Sequence, residues 1–316
     1  MSDIATLLKA VLAFLSSAAT LVASVGAVVA FALLVTILVR YLEQSAVVIS
    51  EIDVPPDLVQ QGYSQTVAQS RFHDALIHYY NEAQNKIHLA SLEVSSEEPD
   101  VTIPAVGLPF NFVADSVAPM LHISRQRVAG ELTESHHRLW LQLRLNDSTF
   151  LVKNQGDISP RGADALFIVA TQEVFEKTEP FVAAAHLYIV GHEAAARAIT
   201  TKILKSGLPG NDANSIWAHV ISGVMYLGDR NYKSASSDFN AAIADDPKNA
   251  VAHNELGRVY FSEDDLKDAA AEYTIAMKLD ENWAAPVQGL GDVYSVQGKV
   301  ALRDAEYKAA IALAHE

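Results

Sequence analysis

The residues that could do chemistry are few, and none has the spacing its chemistry requires. His192-Glu193 would open a zinc-binding His-Glu-x-x-His helix, in which two histidines four apart share one face, but the position four on is Ala196. Gly289-Leu290-Gly291 hints at a dinucleotide loop, yet it has no preceding strand and falls inside a helical repeat. Gly298-Lys299 lacks both the correctly spaced upstream glycine and the following Ser or Thr of a phosphate loop. His73 and His78 are five apart on a helical stretch and face different ways. His136-His137 falls in a polar turn, and Glu97, Glu98 and Asp100 read as a solvated loop rather than an acid–base pair. No catalytic residue, metal ligand or cofactor is assigned, and the chain is read as a non-enzyme.

The elements that would position any site must therefore carry the reading. A chain of 316 residues is long enough for about two domains. Half of it is hydrophobic and 19% is charged, which excludes a disordered polymer. The absence of cysteine removes disulfides, Cys-ligated zinc, iron–sulfur clusters and thiol nucleophiles together. The net charge of −15 argues against a broad basic surface for nucleic acid. That charge is uneven: residues 1–44 are neutral, residues 45–210 carry −7 and residues 211–316 carry −8.

Between Lys9 and Arg40 no residue is charged, from Ala10 to Val39. As a helix this stretch would be about 45 Å long, more than the roughly 30 Å of bilayer hydrocarbon. A signal peptide's apolar region is usually only about 7–15 residues, so residues 1–44 are read as a tail and an uncleaved transmembrane anchor. A buried core helix is the alternative. Lys9 and the terminal amine on one side nearly balance Arg40 on the other, so flanking charge does not set the orientation. Small residues recur at fours, as Ala19, Ala23 and Ala27 and as Gly26 and Ala30, a spacing that lets two such helices associate.

The strongest signal is an internal repeat. Ile216–Asn249 and Ala250–Trp283 superimpose over 34 residues. Gly223 falls on Gly257 and Gly291; Tyr226 on Tyr260 and Tyr294; Phe239 on Tyr273 and Tyr307; Ala242 on Ala276 and Ala310. Ala235 matches Ala269, where the third unit instead carries Arg303, so its last helix is expected to pack less regularly. Small residues at the closest helix–helix approach, with an aromatic filling the gap toward the next unit, describe stacked helical pairs that share a core. This pattern resembles the tetratricopeptide repeat over residues 216–316. Upstream, Pro180–Lys205 reads as a further helical pair, a degenerate repeat or cap spanning 179–210, ahead of three repeats in 211–316.

The resemblance implies a concave groove, lined by the first helix of each unit, that binds protein segments. In that register the groove residues are Trp217, Val220, Val224, Leu227, Asn254, Arg258, Phe261, Gln288 and Asp292. Of the basic-and-amide set by which some family members clamp a carboxylate, only Arg258 and Asn254 are candidates. Trp217 has two readings: an interface anchor, or packing on the preceding helical pair.

Residues 45–178 alternate strands and helices. Ala46–Val54 reads as a strand stopped by Pro55-Pro56, and Ser64 caps a helix with Phe72, Leu76, Tyr79 or Tyr80, and Ala83 on its apolar stripe. Val101–Ile103 reads as a short strand, and Phe110, Val113 and Val117 as a helix limited by Pro119. Leu139, Leu141, Leu143 and Leu145 alternate with Trp140, Gln142 and Arg144, which buries one face of a strand. Gln126–Leu132 and Thr149–Lys153 flank it, and Ala163–Lys177 closes the segment as a helix. The order β-α-β-α-β-β-β-α, with Gly130 in the first hairpin strand, is similar to the small TolB-type amino-terminal domain. A related domain stands between a membrane span and tetratricopeptide repeats in bacterial adenylate-cyclase-type sensors.

The expected architecture is a single transmembrane helix, a small α+β domain and an all-α tetratricopeptide-repeat solenoid. The resemblance implies a bacterial inner-membrane protein, single pass, with its carboxyl-terminal domains in the periplasm. Its partners would be other proteins in the groove and the lipid bilayer around residues 10–39, without nucleic acid. The function expected is a protein-binding adaptor or scaffold. The alternative is a sensor whose α+β domain binds a small molecule and whose repeats relay that state. A dry, apolar interface between sheet and helices would favour the scaffold, and buried polar groups there the sensor.

Overall fold

The computed structural model describes residues 45–88, 93–95, 102–103, 108–109, 126–146, 148–210 and 212–314. They fall in two compact units, one holding the described residues of 45–50 and 93–128 and the other those of 51–88 and 129–314. Strands β1 (Ser45–Asp53) and β5 (Gln126–Ser135) run through both. In the first unit the start of β1 pairs in parallel with β2 (Glu93–Ser95), with Val48 opposite Ser95. Ser50 Oγ donates to the Val128 carbonyl at 3.2 Å. A two-residue ladder joins β3 (Thr102–Ile103) to β4 (Leu108–Pro109). The helix expected around Phe110–Val117 lies outside the described residues.

In the second unit the strand order is β1-β5-β6-β7, with β6 at Arg138–Leu145 and β7 at Ser148–Gly156. The alternation of β6 is realised: Leu139, Leu141, Leu143 and Leu145 are buried, while Gln142 and Arg144 are exposed. Pro56 does more than stop β1. It occupies the first turn of a short helix, α1 (Pro56–Gln60), where its missing N–H costs nothing. Helix α2 (Gln65–Ile87) starts where Ser64 Oγ accepts from the Val67 amide at 3.3 Å, and buries Phe72, Leu76, Tyr79, Tyr80 and Ala83. It packs on α3 (Pro160–Thr178), with Phe72 stacked on Phe167 and Tyr79 on Phe175, ring centroids 5.0 and 5.3 Å apart. Among the described residues the side chains buried between sheet and helices are mostly apolar: Leu139, Leu141, Leu143 and Val152 from strands, Leu166, Phe167, Ala170 and Val174 from α3, with Thr171 of α3 buried too and donating its hydroxyl to the Phe167 carbonyl at 2.9 Å.

Four helical pairs follow in the same unit: α4 (Pro180–Ile189) with α5 (Glu193–Lys205), α6 (Ala213–Gly228) with α7 (Tyr232–Asp245), α8 (Ala250–Ser262) with α9 (Leu266–Leu279), and α10 (Ala284–Val296) with α11 (Val300–Leu313). In the last three pairs a glycine meets the aromatic of its own partner helix. A Cβ at Gly223 would stand 2.6 Å from the Phe239 ring, at Gly257 2.9 Å from Tyr273, and at Gly291 2.6 Å from Tyr307. Tyr273 also faces forward: a Cβ at Gly289, in the next pair, would lie 2.6 Å from it. One aromatic thus wedges between two helices stripped of side chains, which holds the pair together and stacks it on its neighbour. These are stacked antiparallel helical pairs with a 34-residue period. The last helix is the least covered, with Val300, Leu302 and Ile311 exposed and only Ala310 buried.

The expected single-pass location in a bacterial inner membrane, with periplasmic carboxyl-terminal domains, is corrected. Among the described residues no helix is long and apolar enough to cross a membrane. The longest, α2, carries Arg71, Asp74, Glu82 and Lys86 along its length, and each such charge at a bilayer centre costs a few kcal/mol. Residues 10–39, on which the anchor and its self-association rested, lie outside the described residues.

Candidate functional site

Four of the nine groove residues come together. Asn254 and Arg258 on α8, and Gln288 and Asp292 on α10, line one open cavity of about 370 Å³. The glycine–aromatic wedge sets their spacing, because Gly257 and Gly289 let the two first helices close on Tyr273. The others serve packing. Val220 is fully buried, Val224 and Leu227 pack against the cluster around Phe239, and Phe261 packs against the one around Tyr273 and Leu290. Trp217 is 6% exposed, with its ring stacked on Phe181 of the preceding pair at 6.1 Å. The stack on Phe181 fits the packing reading, and the same ring also lines a second open cavity with Gln84, His88 and Asn249.

The polar network inside the cavity starts at Glu255, a buried carboxylate one residue from Asn254. It accepts from Asn254 Nδ2 at 3.0 Å and from an Arg258 guanidinium nitrogen at 2.6 Å. Burial lifts the Glu255 carboxyl above its usual range, opposed by the Arg258 charge and these two hydrogen bonds. Asp292 accepts from the Tyr307 hydroxyl at 2.6 Å. The Asn254 carbonyl oxygen has no hydrogen-bond partner and is buried. Because a carboxylate only accepts, the Asn254 amide must turn its NH₂ to Glu255 and leave its oxygen over.

The opposite wall is supplied by the end of α2, which sequence reasoning did not bring to the groove. Asn85, Lys86, Ile87 and His88 line the same cavity. His88 caps α2 in the left-handed conformation, φ 54°. Its ring lies 4.3 Å from that of Trp283 and nearly parallel to it, and Nε2 is 2.9 Å from Asp280 Oδ2. Glu255, Tyr273, Asp280 and Trp283 were likewise absent from the expected groove set. Trp283 and Asp280 sit in the turn before α10, where the repeat register assigns no groove position. Among the described residues no group of three His, Asp or Glu side chains could hold a metal ion.

No protein-family model matches the chain, and no curated protein matches it. Among solved structures it is similar to MamA 41-end from Desulfovibrio magneticus RS-1, with 20% identity over 49% of this chain and 88% of that one, and a TM-score of 0.39. A crystal structure of MamA gives 19% identity over 49% and 88%, with a TM-score of 0.38. The human IFIT1 dimer with m7Gppp-AAAA gives 11% identity over 46% of this chain and 36% of that one, with a TM-score of 0.40.

Proposed function

We propose that the chain is a protein-binding adaptor or scaffold whose tetratricopeptide-type array holds a partner segment in the groove between α8 and α10. The observation that carries this reading is the convergence of Asn254, Arg258, Gln288 and Asp292 on one open cavity, while the apolar positions of the same helices are spent on packing. Adaptor grooves need such a division: a rigid apolar framework and a polar face free to be matched by a partner. Residues 45–178 form the α+β domain, residues 179–210 a leading helical pair and residues 211–316 three repeats in this reading. The mostly apolar filling of the described residues between sheet and helices, in which the Thr171 hydroxyl is already bonded to its own helix, supports the scaffold over a small-molecule sensor, whose ligand would need free polar groups.

The test replaces exposed groove residues without opening the core. Arg258→Ala with Gln288→Ala, made together with Glu255→Gln so that no buried carboxylate is left unbalanced, should keep the parent's cooperative melting and lose the proteins that co-purify with it. A matched pair on the sheet's outer face, Gln142→Ala with Arg144→Ala, should retain them. Loss of the partner in the sheet variant, with retention in the groove variant, would move the function to the sheet.

A further inference from the structure

The groove has a definite chemical preference. Asn254 is 3% exposed, lies on the cavity wall, and its carbonyl oxygen has no donor. An unpaired buried acceptor is costly, and an entering N–H group removes that cost. Asp292 stands on the same wall and, among the described residues, accepts from the Tyr307 hydroxyl, where a carboxylate can take several bonds. The surrounding repeats add a field of the same sign, since residues 211–316 carry −8. The chain itself shows what such a surface accepts: the basic end of α2 lies on it, with Lys86 on the cavity wall and the His88 ring flat on Trp283 and bonded to Asp280.

We propose, resting on the groove reading above, that this cavity is a pocket for a basic side chain of the bound segment, and for arginine in particular. A guanidinium is planar, so it can stack on the Tyr273 or Trp283 ring, and it has five donors for Asn254, Asp292 and Gln288 at once. A lysine ammonium offers the charge without the flat face. Of the two cations on its wall, Arg258 is paired with Glu255 at 2.6 Å and Lys86 belongs to the end of α2, the segment that an incoming arginine displaces.

Three capped pentapeptides, identical except for a central Arg, Lys or Glu, separate the possibilities when titrated into the full chain and followed by the side-chain NMR signals of Asn254 and Trp283. The arginine peptide should bind, the lysine peptide several-fold more weakly, and the glutamate peptide not at all. Gln288→Lys places a cation on the exposed wall and should weaken the arginine peptide about tenfold with an unchanged melting temperature. Asn254→Leu should weaken it by about tenfold or more, the usual loss for a hydrogen bond to a charged group. Equal or tighter binding of the glutamate peptide overturns the proposal, as does an arginine peptide that fails to bind or binds indifferently to both substitutions. If that happens while the Arg258/Gln288 variant still loses its partner, the groove is the binding surface and only its chemistry is wrong.

Discussion

His253 Nδ1 lies 2.7 Å from Glu272 Oε2, and one repeat earlier His219 Nδ1 lies 3.0 Å from Asp238 Oδ1. Both pairs join the first helix of a unit to the second, at the same two positions of the 34-residue period. The third unit has Val287 and Glu306 there, so the device belongs to the first two. His253 is held at both nitrogens, Nε2 lying 3.3 Å from the Pro247 carbonyl, and only the doubly protonated ring satisfies both acceptors.

The His253 pair makes the array's stability fall with rising pH. Hydrogen bonding to Glu272 raises the His253 pKa above its ordinary 6.5, against the opposing effect of burial, with Pro247 helping. A raised histidine stabilises fully below its unfolded value, and that contribution disappears as pH rises through the folded one. His253→Gln should therefore cost about 1 kcal/mol at pH 5.5 and less at pH 8.5. Melting curves of parent and variant at the two pH values check this; a gap that widens with pH contradicts it.

Glu179 works in the same direction by a different cause. It stands between α3 and α4, where burial first and the Asp212 charge second push its carboxyl up to about 7. An acid with a raised folded pKa contributes stability below its unfolded value, about 4.5, and that contribution is lost as pH climbs from there toward 7. Its side chain makes no capping hydrogen bond, so Glu179→Gln removes only the charge. The variant should gain about 1–2 kcal/mol at pH 8, discounted for partial exposure, and almost nothing at pH 4.5. Denaturant titrations at both values would show it, and a destabilised variant at pH 8 would refute it.

Gly162 is fixed by contact. A Cβ there would run into the Asp157 carbonyl, a backbone atom that cannot swing aside, just as α3 leaves β7. Gly162→Ala should lower stability by about 1–3 kcal/mol although alanine is the better helix former. An unchanged melting temperature would mean that the strand–helix corner can open at no cost.

His136 and His137 both have positive φ, 54° and 58°, between β5 and β6. Two consecutive left-handed residues are a hairpin turn of the kind that Asn-Gly fills best. Replacing the pair by Asn-Gly should stabilise the hairpin by about 1 kcal/mol, since a left-handed residue with a Cβ costs roughly 1–2 kcal/mol. A loss of stability on that replacement would show that the imidazoles contribute contacts of their own.

Local periodicity made much of this legible in advance. The leucines of β6, the Ser64 cap and the glycine–aromatic spacing each announce a contact within one element or one repeat. Groove membership was harder. The register of α6 and α8 shows which way Val224, Leu227 and Phe261 point, but not how far the neighbouring helices cover them. The contact of His88 with Asp280 joins residues 192 apart through a helix end, and no pattern along the chain foreshadows it.

That helix end changes what a binding constant measured on this chain means. The α2 terminus is a tethered competitor, held against Trp283 at a local concentration no free peptide matches. Its hold is modest, because the His88–Asp280 pair is 43% and 33% exposed. Such a pair with one ring stack is worth about 1–2 kcal/mol, which leaves roughly one molecule in ten open at any moment. An incoming segment that needs the Trp283 face then binds with about a tenth of its intrinsic affinity. Clipping the competitor, as in His88→Ala, returns that factor of about ten without adding a single contact to the ligand.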